Sequence, residues 1–438
     1  MYRKITLLFI SFTTLFSLHA QKNMSLAECV AYALANHSDV RIAELSMKDA
    51  EWQIKENRAV AYPQLGLGLH LNHFLQQPSI PGEALGFEDP NNPDQKLTFA
   101  LKNDIGASFT FNQLLFDNKY LATIKAARMY KDYAAIQYQG VVEKLRNKVT
   151  DAYVPALVVA EAIRVLDKNI SSQEKLVFET GANYKAGFVE QLDVDRLQYS
   201  LSDFKTDREA LIRQRQKLTD VLKFTMNMPL GDSINLVDDV DKLLAIYGDI
   251  NPDEQLDYMN RPDYVAVLKA RELNDIQTDA FRKDWWPVLS FFGSYDPGYQ
   301  GNERLYFIPS AIIGVNLSMP IYDGGYYKAK EQRSMIQAMK VDEQKKQLTM
   351  AYDLQIETAR KDYFSTKQKM EDQARNLQLA ERIFATSETK FKQGLGSSFE
   401  VTQAQAGLYR SQANLVNARF DFLKSLVSFK EALGKNQQ

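Results

Sequence analysis

Four short stretches of the chain alternate apolar with small or polar residues, and two very long stretches carry apolar residues at helical spacing. In "QLGLGLHLNHF", Leu65, Leu67, Leu69 and Leu71 share one face, with Gly66, Gly68, His70 and Asn72 on the other. In "IGASFTFNQ", Ile105, Ala107, Phe109 and Phe111 oppose Gly106, Ser108, Thr110 and Asn112. In "IIGVNLSMPI", Ile313, Val315, Leu317, Met319 and Ile321 oppose Gly314, Asn316, Ser318 and Pro320. "PVLSFFGSY" alternates less cleanly. Period two predicts strands, and about 9–11 residues each is the length of a membrane strand.

Helical periods follow the strands. From Tyr326 to Gln393 there is no Gly or Pro. There Leu348, Tyr352, Ile356, Ala359 and Tyr363 step by three or four, as do Leu377, Ala380, Phe384, Ser387 and Phe391. This is coiled-coil spacing over a helix of ~100 Å, which must pack along its length to be stable. The other long helix contains Gly140 and Pro155, and Pro155 is expected to kink or break it.

The pattern occurs twice. "NHSDVRI" (Asn36–Ile42) and "NRPDYVA" (Asn260–Ala266) match at an offset of 224, as do Pro63 and Pro287. Past the loops the offset is 206, pairing Phe116–Asp117 with Tyr322–Asp323. It is 207 for "YKAGF" (Tyr184–Phe188) and "FKQGL" (Phe391–Leu395), where Gln198 pairs with Gln405. A Pro- and Gly-rich loop between the first two strands accounts for the change. Each match is loose, but their common order predicts two internal repeats. The first, 21–228, reads as helix 39–62, strands 63–74 and 104–116, long helix 118–186 and helix 188–228. An equatorial segment, 229–260, follows. The second, 261–438, reads as helix 263–286, strands 287–296 and 311–322, long helix 324–393 and helix 397–434. Ser25 and Glu28 form a capping-box pattern, Asp39 and Asp263 suit N-caps, and Gly187 and Gly394 suit helix stops.

Composition narrows the class. The chain has 438 residues, a net charge of −2 and no basic stripe, so nucleic acid is not an expected partner. No interior run reaches the ~18 apolar residues of a membrane helix. Residues 1–20, with Arg3, Lys4, an apolar core and Ala20, read as a signal peptide, so the mature chain is exported. The one cysteine, Cys29, reads as a small apolar residue on a helix face. His70 and His73 lie three apart on a strand and point to opposite faces, so they form no chelate. With few histidines, no catalytic set, metal site or cofactor site is expected, and no enzyme.

Aromatics gather at the strand–helix junctions: Tyr62, Phe116, Tyr120, Trp285, Trp286, Tyr322, Tyr326 and Tyr327. They read as an interfacial girdle, or as junction residues packing on helix ends in a soluble sheet. Strand edges cannot stay open in lipid, and four strands are too few for a filled barrel, which needs about eight. Two copies would give eight strands with little lumen; three would give twelve and a channel. A soluble periplasmic coiled-coil scaffold or adaptor is the competing class.

With "SLAECVAYALANHSDVRIA", "AYPQLGLGL", "MPIYDGG" and the paired turns "YKAGF" and "FKQGL", the chain resembles the TolC family of outer-membrane efflux proteins. The resemblance covers Leu26 to about Gly434. It implies an α+β membrane protein and a homotrimer. Long antiparallel helices would form a periplasmic α-barrel, and four transmembrane β-strands per chain would contribute to a 12-stranded β-barrel in outer-membrane lipid. It implies a passive exit duct for efflux or secretion, docked on a periplasmic adaptor and an inner-membrane transporter. It implies that Ala186, Gly187, Phe188, Gln393, Gly394 and Leu395 form adaptor-contacting tip turns. The family's gating aspartate falls on Asp193, its tyrosine partner on Phe391 and its arginine on Gly396, so that hydrogen-bond network cannot exist here in the same form. The acidic entrance ring falls on Glu400 and on Gln403, where aspartate is usual. Read from the residues alone, Glu190, Asp193 and Glu400 are helix-start acids suited to the macrodipole. The chain ends four residues after Gly434, so a C-terminal equatorial extension of longer relatives is expected to be missing.

Overall fold

The computed structural model describes residues 22–86, 96–98, 100–248 and 250–435. The signal peptide expected over 1–20, part of the long first loop and the last three residues lie outside these. In chain order the elements are β1 (Lys22–Met24), α1 (Leu26–Asn36), α2 (Ser38–Ala59), β2 (Gln64–His73), β3 (Ser79–Pro81), β4 (Lys96–Thr98), β5 (Asn103–Phe116), α3 (Asn118–Lys185) and α4 (Gln191–Thr225). There follow β6 (Ile234–Leu236), α5 (Val240–Tyr247), α6 (Pro262–Arg282), β7 (Val288–Asp296), β8 (Gly298–Gly301), β9 (Tyr306–Phe307), β10 (Ser310–Ser318), α7 (Tyr326–Lys392) and α8 (Ser398–Ala432). They divide into two compact units: residues 44–137 with 263–347, and the described parts of 1–43, 138–262 and 348–438.

Several boundaries differ from the sequence expectation, for local reasons. α2 stops at Ala59 and α6 at Arg282, short of 62 and 286: the last residues close in tight turns, Tyr62 N–H on Ala59 and Trp286 N–H on Lys283, and Pro63 and Pro287 keep the residue before each out of the helical region. β10 ends at Ser318 rather than 322, since Pro320 has no N–H for a ladder. Asp39 is no N-cap: it lies inside α2, and its N–H donates to His37 Nδ1 at 3.1 Å. Asp263 likewise lies inside α6, which starts on Pro262. α3 continues through Pro155, so of the expected kink or break no break falls there. The loop "DPGYQGNERLY" contributes two short strands, with Tyr299 and Phe307 rings 5.2 Å apart.

The unit of 44–137 and 263–347 holds the sheet. Its long strands run antiparallel in the order β2-β5-β7-β10; β8 pairs the start of β5 on the edge opposite β2, and β9 pairs β8. The register sorts the side chains. Leu65, Leu67, Leu69 and Leu71 stand opposite Phe111, Phe109, Ala107 and Ile105, and this row continues through Tyr295, Gly293, Phe291 and Leu289 to Ala311, Ile313, Val315 and Leu317. One face is thus almost wholly apolar. It is also open: Leu65 is 81% exposed and Ile313 79%. The other face carries His70, Asn72, Asp104, Ser108, Thr110, Asn112, Ser294 and Asn316, with Phe292, Ile312, Leu114 and Val288 as its larger apolar members. Glycines make room there. A Cβ on Gly314 would lie 2.8 Å from the Phe292 ring, and one on Gly106 would lie 2.7 Å from His70. His70 faces Asp104 at 3.4 Å, whereas His73 bonds Asn103 at 2.6 Å.

The other unit has the larger core. Cys29, Val149, Tyr153, Leu157, Leu222, Met226 and Leu423 pack together at a few per cent exposure or less. β1 and β6 pair in parallel beside them. Asp238 pins this corner, accepting from the Leu26 N–H at 2.7 Å and the Tyr153 hydroxyl at 2.9 Å. Burial, with a smaller effect from Asp238, pushes the Cys29 thiol up to about 12, so it stays a neutral packing residue. Tyr352, Ile356, Ala359 and Tyr363 are buried on α7, as their spacing predicts.

Candidate functional site

Two helix hairpins, α3–α4 and α7–α8, end in the same turn. α3 stops at Gly187 with φ +82°: Gly187 N–H donates to the Tyr184 carbonyl at 2.9 Å and Phe188 N–H to Asn183 at 2.9 Å. α7 stops at Gly394 with φ +73°: Gly394 N–H donates to Phe391 at 3.0 Å and Leu395 N–H to Lys390 at 2.8 Å. This is a Schellman closure, which needs a left-handed residue and so favours glycine. Ala186, Gly187, Phe188, Gln393, Gly394 and Leu395 are all exposed. Phe188 is 81% exposed and Leu395 77%.

Beyond each turn an acid starts the next helix. Glu190 and Asp193 form a capping box on α4, with Glu190 N–H donating to Asp193 Oδ2 at 3.2 Å. Ser397 caps α8 and accepts from Glu400 N–H at 3.3 Å. Here the two turns diverge. Asp193 is half-buried and its other oxygen accepts from the Ser398 hydroxyl; Ser398 is fully buried. That bond ties the start of α4 to the start of α8. Lys392 Nζ adds a second tie between hairpins, at 3.4 Å from Glu179 on α3 and 2.8 Å from Glu388 on α7. Its ammonium is held above the usual lysine range, first by Glu388.

Phe391 packs with Leu176, Leu197, Val401 and Phe384 rather than toward Asp193's polar contacts. A Cβ on Gly396 would press on Lys390 Cβ at 3.2 Å and Phe391 N at 3.3 Å, so any larger residue there needs the turn to shift. Glu400 and Gln403 share an open groove of about 650 Å³ between α7 and α8, floored by Leu379, Ile383 and Ala404. Ser398, Lys392 and Glu179 are absent from the residues singled out by sequence. Only their proximity across the hairpins identifies them.

The aromatics at the strand–helix junctions lie at or near the surface. Tyr62, Trp285, Trp286, Tyr322 and Tyr326 are exposed, Tyr322 at 91%. Phe116 stacks with Trp286 at 6.2 Å, and Tyr326 meets Tyr327 edge-on at 5.5 Å. Each junction is set by a carboxylate: Asp117 accepts from Lys119 N–H at 2.8 Å, and Asp323 accepts from Gly325 and Tyr327 N–H at 2.9 and 2.7 Å. Among the described residues no helix is long and apolar enough to cross a membrane, and no group of three His, Cys, Asp or Glu is placed to hold a metal.

A sheet with one bare apolar face suits lipid, and together with two very long helix hairpins it points to the class of outer-membrane channels. The chain belongs to the outer membrane efflux protein family, whose model matches residues 30–221 and 258–435. It is similar to outer membrane protein TolC of Salmonella enteritidis, 25% identical over 88% of this chain and 77% of that protein. It is also similar to nodulation protein T of Rhizobium leguminosarum bv. trifolii, 23% identical over 66% of this chain. The match spans 62% of the length of that protein, and 62% of the pyoverdine export outer membrane protein OpmQ of Pseudomonas aeruginosa. Its fold is that of the open-state MtrE outer membrane channel of Neisseria gonorrhoeae, with TM-score 0.73 and 14% identity over 94% of this chain and 90% of that one. VceC of Vibrio cholerae aligns with TM-score 0.70 and 15% identity, over 93% and 96% of the two chains. The protein is an outer-membrane protein with its helical part in the periplasm, in a family of channels rather than enzymes.

Proposed function

We propose that this chain is one third of a passive exit duct for efflux or secretion, with no catalytic activity of its own. The observation that carries this is the pair of open sheet edges. Among the described residues β2 pairs only with β5, and β10 only with β7. An unpaired edge is prohibitively costly in hydrocarbon, where each free backbone group loses its hydrogen bond. β2 and β10 run in opposite directions, so β2 of one copy can continue the antiparallel ladder onto β10 of the next. Three copies would close twelve strands around a lumen lined by the polar face, with the leucine and phenylalanine row toward lipid.

The hairpin turns then form the periplasmic end. Their exposed Phe188 and Leu395 suit contact with a periplasmic adaptor that bridges to an inner-membrane transporter, which would supply the energy. Asp193, held by Ser398 in place of the missing tyrosine and arginine, would keep the hairpins together in the closed entrance, with Phe391 and Gly396 packing the turn. Glu400, with Gln403 beside it, would form a three-fold ring favouring cations.

Detergent-extracted protein is expected to have the mass of three chains by light scattering and to show small, cation-preferring conductance in planar bilayers. A stable monomer without conductance would sink the duct reading.

A further inference from the structure

We propose that a cleft between α3 and α6, just below the sheet, binds the phosphate headgroup of a membrane phospholipid. The inference rests on the outer-membrane location and not on the duct. The cleft has a volume of about 480 Å³, enough for a glycerophosphate head and the first methylenes of its chains. Its charged end is Lys119, three residues past the end of β5, with Lys330 in the first turns of α7 and Asp284 four residues before β7. This places it about one helical turn from the strand ends, where a bilayer's headgroups begin.

The chemistry is that of an anion site with an apolar arm. Asp284 is buried, and its two oxygens lie 3.8 Å from Lys119 Nζ and 3.2 Å from Lys330 Nζ. Two ammonium groups around one carboxylate leave a positive charge to be matched. Lys330 also sits 4.4 Å over the Phe281 ring, which fixes its head at the mouth of the cleft. Lys119 is half-exposed and can swing to a ligand. Leu273, Ile276, Phe281 and Ala122 give the rest a largely apolar wall, a surface that free inorganic anions do not need, with Thr123, Asn274 and Gln277 beside it. A basic pocket opening onto apolar walls at headgroup depth is the pattern by which membrane proteins hold anionic lipids.

The test is native mass spectrometry of the detergent-extracted protein with added phosphatidylglycerol, and separately with sn-glycerol 3-phosphate. Wild type is expected to retain phosphatidylglycerol. Lys119→Met with Lys330→Met is expected to weaken it about tenfold, as loss of charge-assisted contacts to a phosphate does. Ala122→Trp keeps both lysines and narrows the apolar arm, and is expected to weaken lipid binding as well. If the double variant fails to fold by circular dichroism, Lys119→Met alone and Ala122→Trp decide. Equal lipid retention in all variants overturns the proposal. Displacement of the lipid by an equal concentration of glycerol 3-phosphate overturns the lipid as occupant.

Discussion

The turn after α3 and the turn after α7 close with the same backbone hydrogen bonds, yet their carboxylates have different surroundings. At the first, Asp193 is committed on both oxygens, to the Glu190 N–H and the Ser398 hydroxyl. At the second, Glu400 takes the matching position but stays exposed beside an open groove. The same helix–turn–helix unit therefore supplies a lock in one copy and a free charge in the other. A backbone that is stable by itself leaves its side chains free to diverge.

The largest effects should fall on what the turns share. Gly187→Val and Gly394→Val each force a β-branched residue into the left-handed region, costing about 1–2 kcal/mol or more. Their losses, measured from denaturant midpoints followed by helical circular dichroism, should be similar. A large gap between them would break the equivalence of the turns.

Next come the residues at which they differ. Ser398→Ala removes a buried hydroxyl and strands an Asp193 oxygen, costing about 1 kcal/mol. The matching change Gln191→Ala, on an exposed residue, should cost less than about 0.5 kcal/mol. Ser398→Ala should also raise single-channel conductance; unchanged conductance would remove Ser398 from the closed entrance.

Glu400→Gln should leave stability unchanged and lower cation preference, whereas Asp193→Asn should not move the reversal potential in a salt gradient. Identical reversal potentials for Glu400→Gln and wild type would refute the ring.

Smallest is Lys392→Met, worth at most about 1 kcal/mol for an exposed pair and less at high salt. Because its folded pKa is raised, the stabilisation is present below the unfolded lysine value near 10.5 and is lost only as pH climbs past it. Between pH 6 and 9 the variant and wild type should differ by a constant amount; a difference that changes there would assign the tie to other groups.

Much of this molecule could be read along the chain. Alternation at Leu65–Leu71 and Ile313–Leu317 marks strands because side chains switch face at every residue. Glycines at 187 and 394 mark helix stops because a left-handed residue is a local demand. The prolines at 63 and 287 mark where each helix must have ended, but not the tight turn that precedes them. "PVLSFF" could not be sorted, since either Phe291 or Phe292 could join the apolar row. Only the pairing with β5 and β10 places Phe292 on the polar face, over Gly314.

The sequence by itself determined the local elements and their order, because helix and strand periods, caps and breakers act over a few residues. Tertiary structure alone decided the partners: Ser398 for Asp193 across 205 residues, Lys392 for Glu179, and Lys119 and Lys330 around Asp284. Those pairings depend on which helix faces meet when hairpins pack, and packing sums small contributions from whole helices that no short segment encodes.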